Sequence, residues 1–168
     1  MSKAFTSAVH TILSRDLRGM QAELRAYPDE EQIWEVRPGL TNAAGTLALH
    51  AAGNLRHFIG AVLGGSGYVR DRDAEFSRRD ASRAELEREL DAAIRTVESV
   101  VPSLSDEQLE RPFPIPLAGR EVRTSDFLAH LVAHLAYHLG QVDYHRRLVT
   151  GGPAIGVVSP AELPAARD

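Results

Sequence analysis

The 168-residue sequence contains no cysteine. Disulfide bonds, thiolate zinc sites and a cysteine nucleophile are therefore excluded. Any metal ion that this chain binds must take nitrogen or oxygen ligands, so the candidate ligands are histidines and carboxylates.

Long apolar runs are also missing from the sequence. No uninterrupted run approaches the roughly 20 residues of a membrane-spanning helix. In the first residues, MSKAFTSAVHTILSRDL, charged and polar side chains interrupt the apolar ones before the length of a signal-peptide core is reached. We therefore expect a cytoplasmic protein that has no membrane partner.

Charge of one sign is not concentrated anywhere in the chain. The formal net charge is -4, and basic residues are scattered among acidic ones, as in SRRDASRAELEREL. Proteins that bind nucleic acid carry basic patches, so we expect no nucleic-acid partner. The hydrophobic and charged fractions are those of an ordinary globular domain, and the length suffices for one core.

Four long segments show apolar residues at spacings of three and four, which marks one face of a helix. The first covers about residues 3–26 and ends before Pro28. The second begins at a cap on Thr41 or Asn42 and ends at the GGSG run after Leu63.

The third predicted helix starts at Ser82, which forms a capping-box sequence with Glu85, and it ends near Val101. A short helical turn, SDEQLE, follows it. The alternating apolar residues of RPFPIPLAGREVR then predict a small proline-rich hairpin.

The last helix is predicted from a cap on Thr124 or Ser125 to about Leu148. Four amphipathic helices with polar connections are typical of an all-α four-helix bundle. We assign residues 1–150 to this bundle and residues 151–168 to a C-terminal tail.

Four of the seven histidines lie on the predicted last helix; the seven are at positions 10, 50, 57, 130, 134, 138 and 145. Residues four apart lie on one helix face about 6 Å apart, so His134 and His138 can converge on one ion. His130 and His134 make an equally good pair, but His130 and His138 are two turns apart. A third ligand must come from another helix, and His50 lies in the middle of one. Spacing alone also allows ordinary core or surface histidines.

The remaining histidines are assigned other positions. His10 and His145 lie near predicted helix ends, where we expect them to face solvent. His57 is two turns from His50, too far to share an ion with it.

The segment HLVAHLAYHLGQVDYHRRL resembles the last bundle helix of the DinB/YfiT-like superfamily. That helix has two metal histidines four apart, the second followed by x-Gly-Gln, and these correspond to His134 and His138. The segment LALHAAGNLRHFIGAVLGG resembles the family's second helix, whose early histidine is the third ligand and corresponds to His50. Gln141 and Asn54 are then candidates to contact the ligands from outside.

The stretch NLRHFIG followed by RDRDAEF is similar to a bacterial subgroup of uncharacterised DinB-like proteins. The resemblance covers about residues 1–150 and implies an up-down-down-up bundle that is often dimeric, so we expect a homodimer. It also selects His138 over His130 as a ligand. If the second and the last predicted helices are antiparallel, His57 is expected beside His130 in a separate polar layer.

Three neutral imidazoles leave at least one coordination position open, and zinc or nickel fits them. One hypothesis is a metal-dependent enzyme, a thiol S-transferase or hydrolase, that acts on a small-molecule substrate such as a low-molecular-weight thiol. The family resemblance favours thiol transfer. A second hypothesis is a non-catalytic metal-binding or stress-response bundle, and a third is a bundle without metal.

No general acid or base is assigned from the sequence. Glu121, Asp126 and Asp143 lie near the histidines along the chain, but solvated or capping roles explain them equally well. The catalytic residues therefore stay unknown at this stage.

Overall fold

A computed structural model describes residues 2–163, and over that range the chain is all-helical and has no strand. Met1 and residues 164–168 of the predicted tail lie outside the described range. The α-helices of the described range are α1 (Ser2–Arg25), α2 (Ala44–Leu55), α3 (Arg72–Ser77), α4 (Arg83–Val100), α5 (Asp106–Glu110) and α6 (Thr124–Thr150). A π-helical segment, Arg56–Leu63, directly continues α2. Within this range no helix combines the length and apolar character needed to cross a membrane.

The four long helices lie where the apolar spacing predicts them, but two of their predicted caps are wrong. Ser82 and Glu85 form the predicted capping box at α4. The residue before α2 is Ala43, and no side chain caps this helix end, because packing of the fully buried Ala43 and Ala44 sets where the helix begins. The hydroxyl of Thr124 donates instead to the carbonyl oxygen of Arg111, 3.1 Å away, so it ties the preceding segment to α6.

The proline-rich segment before α6 forms two isolated antiparallel bridges instead of paired strands. They join Pro112 to Arg123 and Leu117 to Arg120. Between Leu117 and Arg120 the backbone turns through two residues of positive φ, as in the tight turns of hairpins. The prolines of PFPIP lack N–H donors, which explains why no continuous ladder forms.

The apolar spacing did not predict α3, which lies in the charged connection after the second helix. The helix has only six residues, and Asp71 caps it by accepting a hydrogen bond from the N–H of Ala74 at 2.9 Å. A helix this short has no apolar periodicity to detect. It packs on α2 and buries the side chain of Glu75.

Helix α2 occupies the centre of the protein. All twelve of its residues are buried, and it packs on α1, α3, α4 and α6. Where the π-helical segment continues α2, Gly60 lies against Thr96 and Gly64 against Val100, so this segment and α4 run in the same direction. The small side chains along α2 let its neighbours approach its backbone closely.

Helix α1 packs on α4 in the opposite direction. Arg18 bonds to Glu98 near the start of the contact, whereas Arg25 bonds to Glu87 near its end. Helix α1 also packs on α6.

A buried ion pair joins α1 to α6. The guanidinium of Arg146 bonds to the carboxylate of Glu23, and both side chains are almost completely buried. Gly19 lies beside Leu139, one turn before Glu23 on α1 and two turns before Arg146 on α6, so α1 and α6 run in the same direction. Arg146 also donates to the carbonyl oxygen of Pro153 at 2.9 Å, which holds the first residues after α6 against the helix.

The expectation that His145 faces solvent is wrong. Helix α6 continues through Thr150, so His145 lies within the helix and only 1% of it is exposed. Its Nε2 lies 2.8 Å from the carbonyl oxygen of Glu35 and its Nδ1 lies 2.6 Å from the hydroxyl of Tyr27. Each ring nitrogen therefore has a buried partner. His10 is half-buried on α1, so it is less exposed than expected.

We expect Glu23→Gln to lower the free energy of unfolding by about 3 kcal/mol, because it leaves the buried Arg146 guanidinium with only the longer ionic contact to Asp143, at 3.5 Å. Glu87→Gln removes a partner of Arg25 from a pair whose arginine is 59% exposed, and should cost less than about 1 kcal/mol. Urea denaturation of both variants measures the difference. Equal losses of unfolding free energy in the two variants would show that the buried Arg146 pair contributes no more to stability than the exposed Arg25 pair.

Candidate metal centre

The structure brings His50, His134 and His138 together at the contact between α2 and α6. One ring nitrogen of each lies within 4.8 Å of the others. The Nε2 atom of His134 is 3.4 Å from that of His50 and 3.1 Å from that of His138. The rings of His134 and His138 meet nearly edge to face. These are the three residues that the family resemblance selects among the combinations that spacing allows.

The two histidines on α6 are positioned by the apolar residues that follow them. Leu135 and Leu139 are almost completely buried in the core. Because successive helical residues are about 100° apart, His134 and His138 lie at the edge of this core and remain half-buried. His50 approaches them from α2, where it is 7% exposed.

Two of the three imidazoles are oriented through their second ring nitrogen. Nδ1 of His50 lies 3.0 Å from a carboxylate oxygen of Glu75, and Nδ1 of His138 lies 2.7 Å from Oε1 of Gln141. A carboxylate or amide oxygen accepts hydrogen bonds, so in each pair Nδ1 carries the proton. The lone pair of each ring is then on Nε2, which faces His134.

Of the two residues predicted to contact the histidines from outside, Gln141 and Asn54, only one does so. Gln141 contacts a histidine as predicted. Asn54 makes no hydrogen bond to the three histidines, and its Oδ1 is buried without a partner among the described residues. The predicted role of Asn54 is therefore wrong, because Glu75 of α3 takes the place beside Nδ1 of His50.

Two of the three nitrogen–nitrogen separations fit tetrahedral coordination of a cation. Ligand nitrogens at about 2.0–2.1 Å from a zinc ion are separated by roughly 3.3 Å in tetrahedral geometry. The measured separations of 3.4 Å and 3.1 Å lie on either side of this value. Without a cation, His134 can donate to at most one of the two Nε2 lone pairs that face it, which leaves the other lone pair without a donor from the three rings.

The surroundings of the two histidines on α6 favour the neutral imidazole, which is the form that binds metal ions. Burial, together with the neighbouring His138 and His50 when they are charged, lowers the pKa of His134 to about 4. Burial lowers the pKa of His138 as well, although its bond to Gln141 opposes the shift.

Glu75 is the functional candidate that sequence reasoning missed. It is 6% exposed, and Arg70 bonds to both of its carboxylate oxygens at 2.7 Å. Burial raises the pKa of the Glu75 carboxyl, but hydrogen bonds from Arg70 and His50 outweigh this and keep the pKa below its ordinary value. The only sequence signal is the capping position of Asp71, which could have placed a helix turn here.

His57 and His130 are not neighbours, so the predicted separate polar layer is wrong. His130 is exposed, and its ring stacks on Phe127 with centroids 5.8 Å apart. His57 contacts Phe58, and in the described part of the chain no ring contact or hydrogen bond joins it to His130. His57 lies in the π-helical segment, whose wider turn alters the direction of side chains relative to a regular helix.

The three acidic residues that lie near the histidines in sequence take no part in the cluster. Glu121 and Asp126 are exposed, and Asp126 pairs with Arg123. Asp143 pairs with Arg147 at 3.4 Å.

Comparison with protein families gives one match. The model described as the DinB superfamily matches residues 12–142, which is most of the chain and includes all three clustered histidines. A search of curated proteins gives no match.

We expect His134 of the metal-free protein to titrate near pH 4, whereas an unfolded chain titrates near 6.5. The unfolded state then binds more protons than the folded state between these values. The contribution of His134 to the free energy of unfolding is therefore constant above about pH 6.5 and is lost as the pH falls toward 4. NMR titration of the imidazole C–H resonances measures the midpoint. A midpoint near 6.5 in the folded protein would contradict the expectation.

Proposed function

We propose that this chain, which belongs to the DinB superfamily, holds one divalent metal ion on His50, His134 and His138. The observation that carries the proposal is the convergence of three Nε2 atoms, two of them on rings whose Nδ1 proton is held by a separate acceptor. Zinc or nickel suits such a set of nitrogen ligands.

We further propose that the protein is a metal-dependent enzyme, a thiol S-transferase or hydrolase. When bound, the ion would supply an open coordination position at which a water or thiol has a lowered pKa. Among the described residues the cluster has three members, so no fourth protein ligand closes it. His134 and His138 are half-buried, which leaves a small molecule such as a low-molecular-weight thiol a route to the site.

The arrangement proposed for the four long helices is an up-down-down-up bundle. Three observations support it: α1 and α4 run in opposite directions, α1 and α6 in the same direction, and the continuation of α2 parallel to α4. Contacts of His50 with His134 and of Phe58 with Phe127 support an antiparallel α2 and α6.

The protein is also proposed to form a homodimer through an outer face of α6. Tyr137, Tyr144 and Leu148 are more than half exposed on this helix, and Gly140 between them leaves open space. An exposed apolar face of this kind favours association with a second copy. Light scattering that gives a monomer mass at all concentrations would contradict this proposal.

His50→Ala, His134→Ala and His138→Ala should each reduce bound zinc or nickel sharply, because each removes one of three ligands. His130→Ala is the matched control on the same helix, one turn from His134, and should reduce metal binding less than His138→Ala. His10→Ala should have no effect. Metal analysis of untagged protein measures the content of each variant.

Two outcomes would refute this ligand set. Equal metal content in all five variants would show that the cluster does not bind the ion. Loss of metal in His130→Ala with retention in His138→Ala would show that His130 is the ligand.

Metal-loaded protein screened with low-molecular-weight thiols and an electrophile should accelerate formation of the thioether. The His134→Ala variant should not, since it lacks the central ligand. Loss of free thiol and appearance of the product, followed by mass spectrometry, measure the reaction. Stoichiometric metal binding without turnover of any thiol or hydrolysable ester would support the non-catalytic metal-binding alternative instead.

A further inference from the structure

Nδ1 of His50 has two neighbours, one of which requires it to donate a hydrogen bond and the other to accept one. The Glu75 carboxylate, 3.0 Å away, can only accept a hydrogen bond. Nη2 of Arg70, 3.2 Å away, can only donate one. A neutral imidazole carries one proton, so Nδ1 satisfies Glu75 when protonated and Arg70 when unprotonated. The two possibilities place the lone pair of His50 on different nitrogens.

The Glu75 carboxylate resolves this competition because it occupies Arg70 as well. Nε and Nη2 of Arg70 bond to Oε1 and Oε2 of Glu75, each at 2.7 Å. Such a bidentate pair holds the guanidinium in one orientation. An unprotonated Nδ1 would place its lone pair 3.0 Å from the Glu75 oxygen that also accepts from Arg70, so a proton on Nδ1 is favoured.

The fold makes room for Glu75 at one glycine of α2. A Cβ atom built at Gly53 would lie 2.1 Å from Oε1 of Glu75, a distance at which atoms overlap. Phe76, the next residue on α3, packs against the His50 ring with centroids 4.9 Å apart. Helix α3 thus places a carboxylate beside one ring nitrogen and an aromatic side chain against the same ring.

We propose that Glu75, held by Arg70, is a positioning residue that selects the Nδ1–H tautomer of His50 and so directs its Nε2 lone pair into the histidine cluster. The proposal deepens the proposed function, because the selected nitrogen is the one assigned to the metal ion. Arg70 orients Glu75. If Glu75 were absent, Arg70 could donate to Nδ1 of His50 and would then stabilise the Nε2–H tautomer. Outer hydrogen-bond partners of metal-binding histidines act in this way in general.

Glu75→Gln separates positioning from packing. The glutamine has almost the same shape but only one acceptor oxygen. When that oxygen accepts from Nε of Arg70, the glutamine NH2 group and Nη2 of Arg70 both present donors to Nδ1 of His50. An NH2 group donates, so Nδ1 must then accept and the proton moves to Nε2. We expect the His50 tautomer to switch and the affinity for Co²⁺ to fall about 10–100-fold. Nitrogen chemical shifts of the metal-free protein at pH 8 give the tautomer, and cobalt absorption gives the affinity.

Glu23→Gln is the matched control, because it makes the same change in another buried arginine pair, away from the three clustered histidines. It should leave the His50 tautomer and the cobalt affinity within about twofold of the wild type, an estimate that reflects additivity between distant sites. A merely structural role for Glu75 predicts the same outcome in both variants.

Gly53→Ala provides a second route if Glu75→Gln does not fold. Its methyl group displaces the intact carboxylate, so the same switch of tautomer is expected. Gly45→Ala is its control on the same helix, since its methyl group meets Trp34 instead.

The results that would overturn the proposal concern His50 itself. They are an Nδ1–H tautomer that persists in both Glu75→Gln and Gly53→Ala, or a cobalt affinity equal to that of the wild type in both variants. If the wild type binds no cobalt, the proposed function fails, but the tautomer of the metal-free variants still decides the role of Glu75.

Discussion

Burial of α2 on every side is the constraint on which the site depends. Six of its twelve residues are glycine or alanine, so α3, α4 and α6 can all approach its backbone. A histidine that is 7% exposed in such a helix has little access to bulk water and needs partners for its ring nitrogens. Glu75 satisfies Nδ1 of His50, and Nε2 faces His134 at the position where we propose the ion.

The sequence was sufficient for features that repeat along one helix. The apolar spacing located the four long helices, and the four-residue step placed His134 and His138 on one face. The choice of His138 over His130 came from the family resemblance and not from spacing, which allowed both pairs. In the structure His130 is exposed outside the cluster.

Features that depend on contacts between distant segments were not predictable in the same way. Glu75 belongs to a helix too short for periodicity, and only the fold shows that it enters the core beside Gly53. The burial of His145 was not predictable because its partners, Tyr27 and the backbone of Glu35, are far from it in the sequence. The expected contact of His57 with His130 is not formed because the backbone around His57 is π-helical, and the expectation holds only for a regular α-helix.

One ion lying among the three Nε2 atoms is the central feature proposed for this site. Anomalous diffraction from crystals grown with zinc, recorded on both sides of the zinc absorption edge, locates such an ion independently of any activity. We expect one strong peak about 2.0–2.1 Å from Nε2 of His50, His134 and His138. Zinc-saturated crystals with no peak at these three nitrogens, whether or not zinc lies elsewhere on the protein, would contradict the proposed site.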